Sequence, residues 1–418
     1  MVSPGERKTT RKLWDHYRVA AERLRHACEK LGLAPVLVWG RRLLAIVLLP
    51  VFLPYLVVRM FSVTRRLESR SRPLPTPGVV YGDGFLAKRL LYGDPLLGDV
   101  LILKPWTSAS DNKESLLCAG SRGAVIITQD SLVVRRTLFP ELAQKVLVIG
   151  SASHPCFLVL DHTRDSVSLY DVEGHGLWSY VLRIGINDIA VGDLNDDGSP
   201  ECLIAANAGG GLHAVNLLGQ RLWKVRGGNL WCVAISDAEA KDSVRVYHSH
   251  ANGRLFIRDR HGGLLKAAKA PWYLGDFCLC NWPNRRSPTC ILGLTSDEGL
   301  FILDAEGETI LLLYAPEAMY NSYVQATNVR FLSDQADYLA VLLNCPSEGR
   351  SMLFVYSDGG DLTYVEALPH SGAGLMSRQS PDACQETLLV GGAGRIWEYR
   401  ATACHGVPTA PPPLRVLK

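Results

Sequence analysis

Nowhere in its 418 residues does the chain show a G-x-S-x-G, an H-E-x-x-H or a phosphate-cradling G-x-x-x-x-G-K-[ST] run. Linear signatures of a serine hydrolase, a zinc protease or a P-loop NTPase are therefore missing. A straight membrane span wants ~20 consecutive apolar residues, and the apolar run Leu43–Val58 stops at sixteen. Charge of one sign is lacking overall as well, because 44 Lys/Arg stand against 41 Asp/Glu. With 47% hydrophobic and 20% charged residues, the chain is neither a disordered tail nor a multi-span membrane protein. The balance hides a split: residues 1–76 hold 15 bases and five acids, a net of +10, which leaves 29 bases and 36 acids, a net of −7, in 77–418. A mildly acidic body lacks the basic face that phosphate recognition needs, so nucleic acid is not an expected partner.

The basic leader reads in two parts. Leu13, Tyr17, Ala20, Leu24, Ala27 and Leu31 recur at three- and four-residue steps and share one face of a helix, which Gly32 ends. Such a helix packs on protein or lies on an anionic bilayer. Leu43–Val58 follows, bracketed by Arg41–Arg42 and Arg59 and interrupted by Pro50 and Pro54, which bend a helix. Basic residues on both flanks suit a segment that enters and leaves the membrane by one face; a single pass is the rival reading. The 11 cysteines, an odd number, include Cys118, Cys202 and Cys232 in apolar strand-like runs. Unpaired buried thiols of this kind suit a reducing compartment, which places the body on the cytosolic side.

After the Pro-Leu-Pro-Thr-Pro stretch at 73–77 the pattern changes to short strands divided by Gly, Asp and Asn turns. One phrase recurs, as LYDVEGHGLW, AVNLLGQRLW, IRDRHGGLLK, ILDAEGETIL and VYSDGGDLTY, with Gly174, Gly219, Gly262, Gly307 and Gly359 spaced 45, 43, 45 and 52 residues apart. An earlier copy, IITQDSLVVR, puts Asp130 at the equivalent place. A period near 44 residues with about four strands is that of a propeller blade. Blades are expected near 96–140, 141–184, 185–227, 228–270, 271–320 and 321–368, and a seventh begins near Cys384 and runs out of chain. Gly78–Leu91 could supply its missing strand.

The expected fold is all-β: a single β-propeller of about seven four-stranded blades over 78–402. A basic amphipathic helix (1–33), a hydrophobic membrane-associated segment (34–63) and a basic, Pro-rich linker (64–77) precede it, and a Pro-rich tail (403–418) follows.

One blade carries Asp193-Leu-Asn195-Asp-Asp197-Gly198-Ser199-Pro-Glu201 between two strand-like runs. Oxygens at every second position wrap a hard cation, and the glycine permits the bend. An EF-hand would need a Glu at the twelfth place, which is Ile204. The nine-residue spacing resembles the calcium loops of FG-GAP repeats, the blades of integrin-α-type propellers. That resemblance implies Asp193, Asn195, Asp197 and Glu201 as side-chain ligands of one Ca2+ and Ser199 as a carbonyl ligand. The equivalent positions two repeats on, Asn281, Pro283, Arg285 and Thr289, and one repeat on, Asp237, Glu239, Lys241 and Arg245, keep the frame and lose the ligand set. One cation would then stiffen one loop. The D-x-x-G-x-x-L-W phrase (Asp171, Gly174, Leu177, Trp178) is also similar to PQQ-like repeats.

Other clusters read as structure. Cys278, Cys280 and Cys290 could suggest zinc, but Cys290 matches Cys202 and Cys156 at a shared strand position. His248 and His250 form a one-face pair without a third ligand and read as turn-edge residues, and Gly209–Gly211 reads as a turn between strands. The functional expectation is a non-catalytic, membrane-attached propeller, a scaffold or subunit touching other proteins of a membrane complex, with residues 10–63 on the membrane. Two alternatives stand beside it: an extracytoplasmic, calcium-stabilised adhesion or sensor propeller on a single-pass anchor, and an enzyme with a site in the central channel.

Overall fold

The computed structural model describes residues 75–402 apart from 108–113, 129–131, 152–153, 237–243, 251–252, 269–273, 275, 283–288, 295–298, 317–321, 332–336 and 380–384. The amphipathic helix, the apolar segment, all but the end of the linker, the tail and Asp130 lie outside the described residues. Among those described, no helix is long and apolar enough to cross a membrane.

Seven antiparallel sheets form the blades. Two strands come before the first blade in sequence, β1 (Gly78–Tyr81) and β2 (Leu86–Gly93). Blade 1 is β3 (Val100–Thr107), β4 (Glu114–Gly120), β5 (Gly123–Thr128) and β6 (Val133–Leu138); blade 2 is β7 (Ala143–Ser151), β8 (His154–Asp161), β9 (Ser166–Tyr170) and β10 (Gly176–Val181). Blade 3 is β11 (Ile186–Gly192), β12 (Glu201–Ala206), β13 (Gly211–Val215) and β14 (Arg221–Val225); blade 4 is β15 (Leu230–Ile235), β16 (Val246–His250), β17 (Leu255–Arg258) and β18 (Leu264–Ala268). Blade 5 is β19 (Phe277–Cys280), β20 (Cys290–Leu294), β21 (Gly299–Leu303) and β22 (Thr309–Tyr314). Blade 6 is β23 (Tyr323–Val329), β24 (Tyr338–Cys345), β25 (Arg350–Tyr356) and β26 (Leu362–Leu368), and blade 7 holds β27 (Leu375–Gln379), β28 (Glu386–Gly392) and β29 (Arg395–Ala401).

The ends of the propeller close the ring in a way that corrects the sequence reading twice. Gly78–Leu91 does not form one strand: β1 adds to β26 as a fifth strand of blade 6, and β2 pairs with β29 to complete blade 7. Gly82 and Gly84, both at positive φ, turn the chain between them, and Phe85 wedges against Phe331 and Tyr338. Blade 7 also starts at Leu375 rather than near Cys384. Its first strand, LMSRQ, has too few apolar residues to announce itself.

Each central strand sends alternate side chains to opposite seams, as the pleat requires. Leu116 and Cys118 of β4 pack towards blade 7, whereas Leu117 and Ala119 pack towards blade 2. Cys202 and Ile204 of β12 face blade 2, and Leu203 and Ala205 face blade 4. Every seam thus has its own hydrophobic cluster, and a blade is stable only between neighbours.

The recurring phrase is the turn between the third and fourth strands of blades 2 to 6. An Asp or Asn side chain accepts N–H bonds from the residues two and four ahead, as Asn216 does from Leu218 and Gln220, Asp259 from His261 and Gly263, and Asp304 from Glu306 and Glu308. Gly174, Gly219, Gly262 and Gly307 then take positive φ, the conformation that glycine adopts without strain. In blade 6 this residue is Gly360 rather than Gly359, since Ser357 opens the turn and the Gly360 N–H returns to its carbonyl.

Candidate functional site

Residues 193–200 connect β11 to β12, and their polar groups fold inward on one another. The Asp193 carboxylate accepts from the N–H groups of Asp196, Asp197 and Gly198 at 2.7–3.2 Å. Asp197 accepts from the Ser199 N–H at 2.7 Å, and the Asn195 amide donates to Asp197 at 2.9 Å and to Glu201 at 3.0 Å. Glu201 is buried, with its second oxygen on the Leu194 N–H. Burial, opposed by that N–H and reinforced by the nearby Asp197 and Asp193, raises its carboxyl above the ordinary value. Gly198, at positive φ, makes the bend, and a Cβ there would meet nothing within 4 Å.

Asp193, Asn195, Asp197, Ser199 and Glu201 are therefore brought together in one turn. No group of three or more His, Cys, Asp or Glu is arranged to grip a metal among the described residues. The carboxylate oxygens are spent on backbone N–H groups of the turn, and the Asn195 NH2 sits against Asp197 and Glu201.

The other sequence clusters resolve as packing. Cys280 and Cys290 are register partners buried between blades 5 and 6, and Cys278 packs against the same cluster. Burial pushes the Cys280 thiol up to about 12. His248 is not a turn-edge residue. It lies within β16, fully buried, with its ring stacked on Phe256 at 5.2 Å, and it accepts from Arg258 Nε at 2.8 Å. Burial, then the neighbouring Arg258 and His250, push its pKa down to about 3, so it is neutral at physiological pH. Gly209–Gly211 is the turn into β13, as expected.

Sequence reasoning missed a charged group on the wall of the central channel, a cavity of about 440 Å³. Lys145 of β7 pairs with Asp188 of β11 at 2.7 Å, and the other Asp188 oxygen accepts the Val233 N–H of β15 at 2.9 Å. Asp276, just before β19, accepts the Val324 N–H of β23 at 2.7 Å. Burial pulls the Lys145 ammonium down, but Asp188, with Cys232 and Asp276, holds the pKa above its ordinary value. Asp276 is pushed up to about 6, by burial first and then by the Asp188 anion. Their signal in sequence was a charge inside an apolar inner-strand run, at offsets of 43 and 88 residues. Across one mouth of the cavity, the Arg164 guanidinium of blade 2 donates to the Tyr323 hydroxyl of blade 6 at 2.6 Å.

No protein-family model matches this chain, and no curated protein matches it. Solved structures do. Two crystal structures of BBS1N in complex with ARL6DN, one soaked with lead and one with mercury, superpose with TM-scores of 0.51 and 0.52 at 12% and 14% identity. Each covers 77% of this chain and 100% of the other. BamB from Moraxella catarrhalis gives a TM-score of 0.43 at 13% identity over 70% of this chain and 84% of its own. At these identities the BBS1N likeness establishes the propeller fold.

Proposed function

We propose that the chain is a protein-interaction scaffold, a propeller that holds other proteins of a complex at a membrane. The observation that carries this reading is the apolar rim. Outer strands of successive blades expose large aliphatic side chains, among them Val134 and Leu138 on β6, Leu177 and Val181 on β10, and Leu264 and Leu265 on β18. Single exposed aliphatics are ordinary, but repetition around a rim marks a surface that associates. The BBS1N propeller, of the same fold, is itself recorded in a complex with another protein. The rim predicts that the full-length chain, extracted in mild detergent from its own cells, migrates with companion proteins. Leu264→Ser with Leu265→Ser should release them while leaving the melting temperature unchanged. Migration of the native chain as a lone monomer would remove this reading.

Membrane attachment through residues 10–63, with the propeller on the cytosolic side, belongs to the same proposal and rests on the basic, apolar leader. A cysteine introduced at Lys418 should resist a membrane-impermeant thiol reagent until the membrane is opened. Immediate labelling would instead favour the adhesion or sensor reading.

One calcium ion on the Asp193–Glu201 loop completes the proposal, in line with its resemblance to FG-GAP loops. Asp193, Asn195, Asp197 and Glu201 would hold the ion, whose role is to stiffen the loop rather than to take part in a reaction. Calcium should raise the melting temperature more than magnesium at equal concentration, and Asp193→Asn with Asp197→Asn should abolish that difference.

A further inference from the structure

The central cavity holds more charge than its seams require. Asp188 and Asp276 each satisfy an N–H of the next blade's inner strand, a structural duty, and Lys145 neutralises Asp188. Asp276 makes no ion pair of its own among the described residues, but the Lys145 ammonium attracts it as well as Asp188, so two carboxylates share one lysine. The charged residues lining the cavity are Lys145, Arg164, Asp99, Asp188 and Asp276, two cations against three acids, a net of −1. Arg164 is turned to Tyr323 at the mouth, and Asp99 accepts from the Ser371 hydroxyl at 2.7 Å. The surplus negative charge therefore belongs to the Asp188–Lys145–Asp276 group, of which Asp276 is the acid without a salt bridge, and the wall also offers the aliphatic side chains of Leu147, Val191, Ala234 and Leu279.

We propose that this cavity binds a small primary amine bearing an apolar group, with the ammonium on the Asp276 carboxylate and the apolar part against Leu147, Val191, Ala234 and Leu279. A cavity with more apolar than polar wall and a net negative charge on one carboxylate–lysine–carboxylate group has the make-up of a small-molecule site, and its volume lies in the usual range for one. An ammonium–carboxylate bond sheltered from bulk water is stronger than a neutral one, so the anchor sets charge selectivity. An anion would meet the surplus negative charge. A bare divalent cation would meet the Lys145 ammonium and fewer than the six or more oxygens it needs. The inference is independent of the scaffold reading, because the cavity and the rim share no residues.

The test is calorimetric titration of the detergent-solubilised full-length chain with three probes of similar size: phenethylamine, 3-phenyl-1-propanol and 3-phenylpropionate. Phenethylamine should bind at least about tenfold more tightly than the alcohol, a difference of about 1.4 kcal/mol, and the acid should not bind. Asp276→Asn keeps a side-chain oxygen for the Val324 N–H and should erase the preference for the amine. Equal binding of amine and alcohol, no binding of the amine at millimolar concentration, or an unchanged preference in Asp276→Asn would each overturn the proposal. Should Asp276→Asn fail to fold, the three probes on the unaltered chain still decide.

Discussion

The seams between successive blades and the seam that closes the ring bring together residues at very different distances in sequence. Between blades 2 and 3 and between blades 3 and 4, an outer-strand tryptophan reaches across: Trp178 Nε1 donates to the Leu217 carbonyl at 2.7 Å and Trp223 Nε1 to the Arg260 carbonyl at 3.1 Å. The turn glycine of the next blade, Gly219 or Gly262, lies against the indole. These contacts are neutral and join residues about 40 apart in sequence, and the blade 2–3 seam also holds the Lys145–Asp188 ion pair across 43 residues. At the closing seam, Lys88 of β2 pairs with Glu366 of β26 at 2.7 Å, across 278 residues. Glu366 also accepts from the Tyr364 and Tyr399 hydroxyls at 2.8 Å, and the Lys88 ammonium lies 4.7 Å from the Trp397 ring centroid. Next to it, the fully buried Glu398 holds Arg89 and Arg400. Adjacent blades find each other because the linker leaves them little choice. The two chain ends must find each other across the whole propeller at a loop-closure cost, and there the contacts are charged and hydroxylic and tolerate only one register.

This contrast is sharpest in its largest expected effect. Glu366→Ala strands the Lys88 ammonium and two buried tyrosine hydroxyls, and should cost about 3–5 kcal/mol in denaturant unfolding. Lys88→Met combined with Glu366→Leu should recover most of that loss. A single-mutant cost below about 1 kcal/mol would show that the closing seam is held by its apolar cluster like the others. At a repeat seam, Gly262→Ala should cost about 2–4 kcal/mol, because φ is +83° and the new Cβ would stand 2.9 Å from Val225. Gly198→Ala, at φ +82° with open space around it, should cost only about 1 kcal/mol by the same measurement.

What the sequence revealed divides along the same line. The blade period, the four-strand blades and the Asp–Gly turns were legible because each is a local pattern that repeats. The closing seam was legible only as a missing strand, since nothing in GVVYGDGFLAKRLL marks that β1 and β2 join different blades; that depends on two glycines and on Phe85 finding Phe331 and Tyr338. Gly359 was chosen over Gly360 because a Gly-Gly pair gives no local hint of which residue takes positive φ. The hydrogen-bonded turn at 193–201 was legible from its spacing, whereas Lys145, Asp188 and Asp276 were not, because a channel wall is assembled from strands of different blades.

Acid should act on both regions through buried neutral histidines. His248 in blade 4 is pushed down to about 3 by burial, Arg258 and His250, and His370, after β26, is lowered by burial and by Lys88. A depressed folded-state pKa means that the unfolded chain binds the proton first, so stability is complete above about pH 6.5 and declines as pH falls towards the folded value. By pH 4.5 the His248 contribution should be a loss of roughly 2–3 kcal/mol. His248→Gln, which keeps an acceptor for Arg258, should flatten that part of the pH profile. His370→Gln should flatten the profile further, leaving the part that His213 and His250, also lowered by burial, contribute. Glu398 responds in a lower window: its arginine partners outweigh burial and depress its carboxyl, so its contribution holds above about pH 4.5 and is lost below. A profile flat from pH 7 to 5 would contradict the buried, neutral placement of both histidines.

The smallest expected effect probes the repeat seams most directly. Trp178→Phe preserves a ring against Gly219 and removes only the N–H bond to the Leu217 carbonyl, so it should cost about 1 kcal/mol. Trp223→Phe, with the longer bond to Arg260, should cost no more. The two tryptophans serve different seams and share no bonding partner, so the double variant should lose the sum within about 0.5 kcal/mol. If Trp178→Phe is neutral by denaturant unfolding, water replaces the indole donor at no cost. The recurring L-W at the end of the phrase then records only the shape of the ring against the turn glycine, and the tryptophans add apolar packing alone. A loss near 1 kcal/mol means that each such seam adds one neutral hydrogen bond to its hydrophobic cluster, and the closing seam differs from it in the sequence distance it spans rather than in having polar contacts at all.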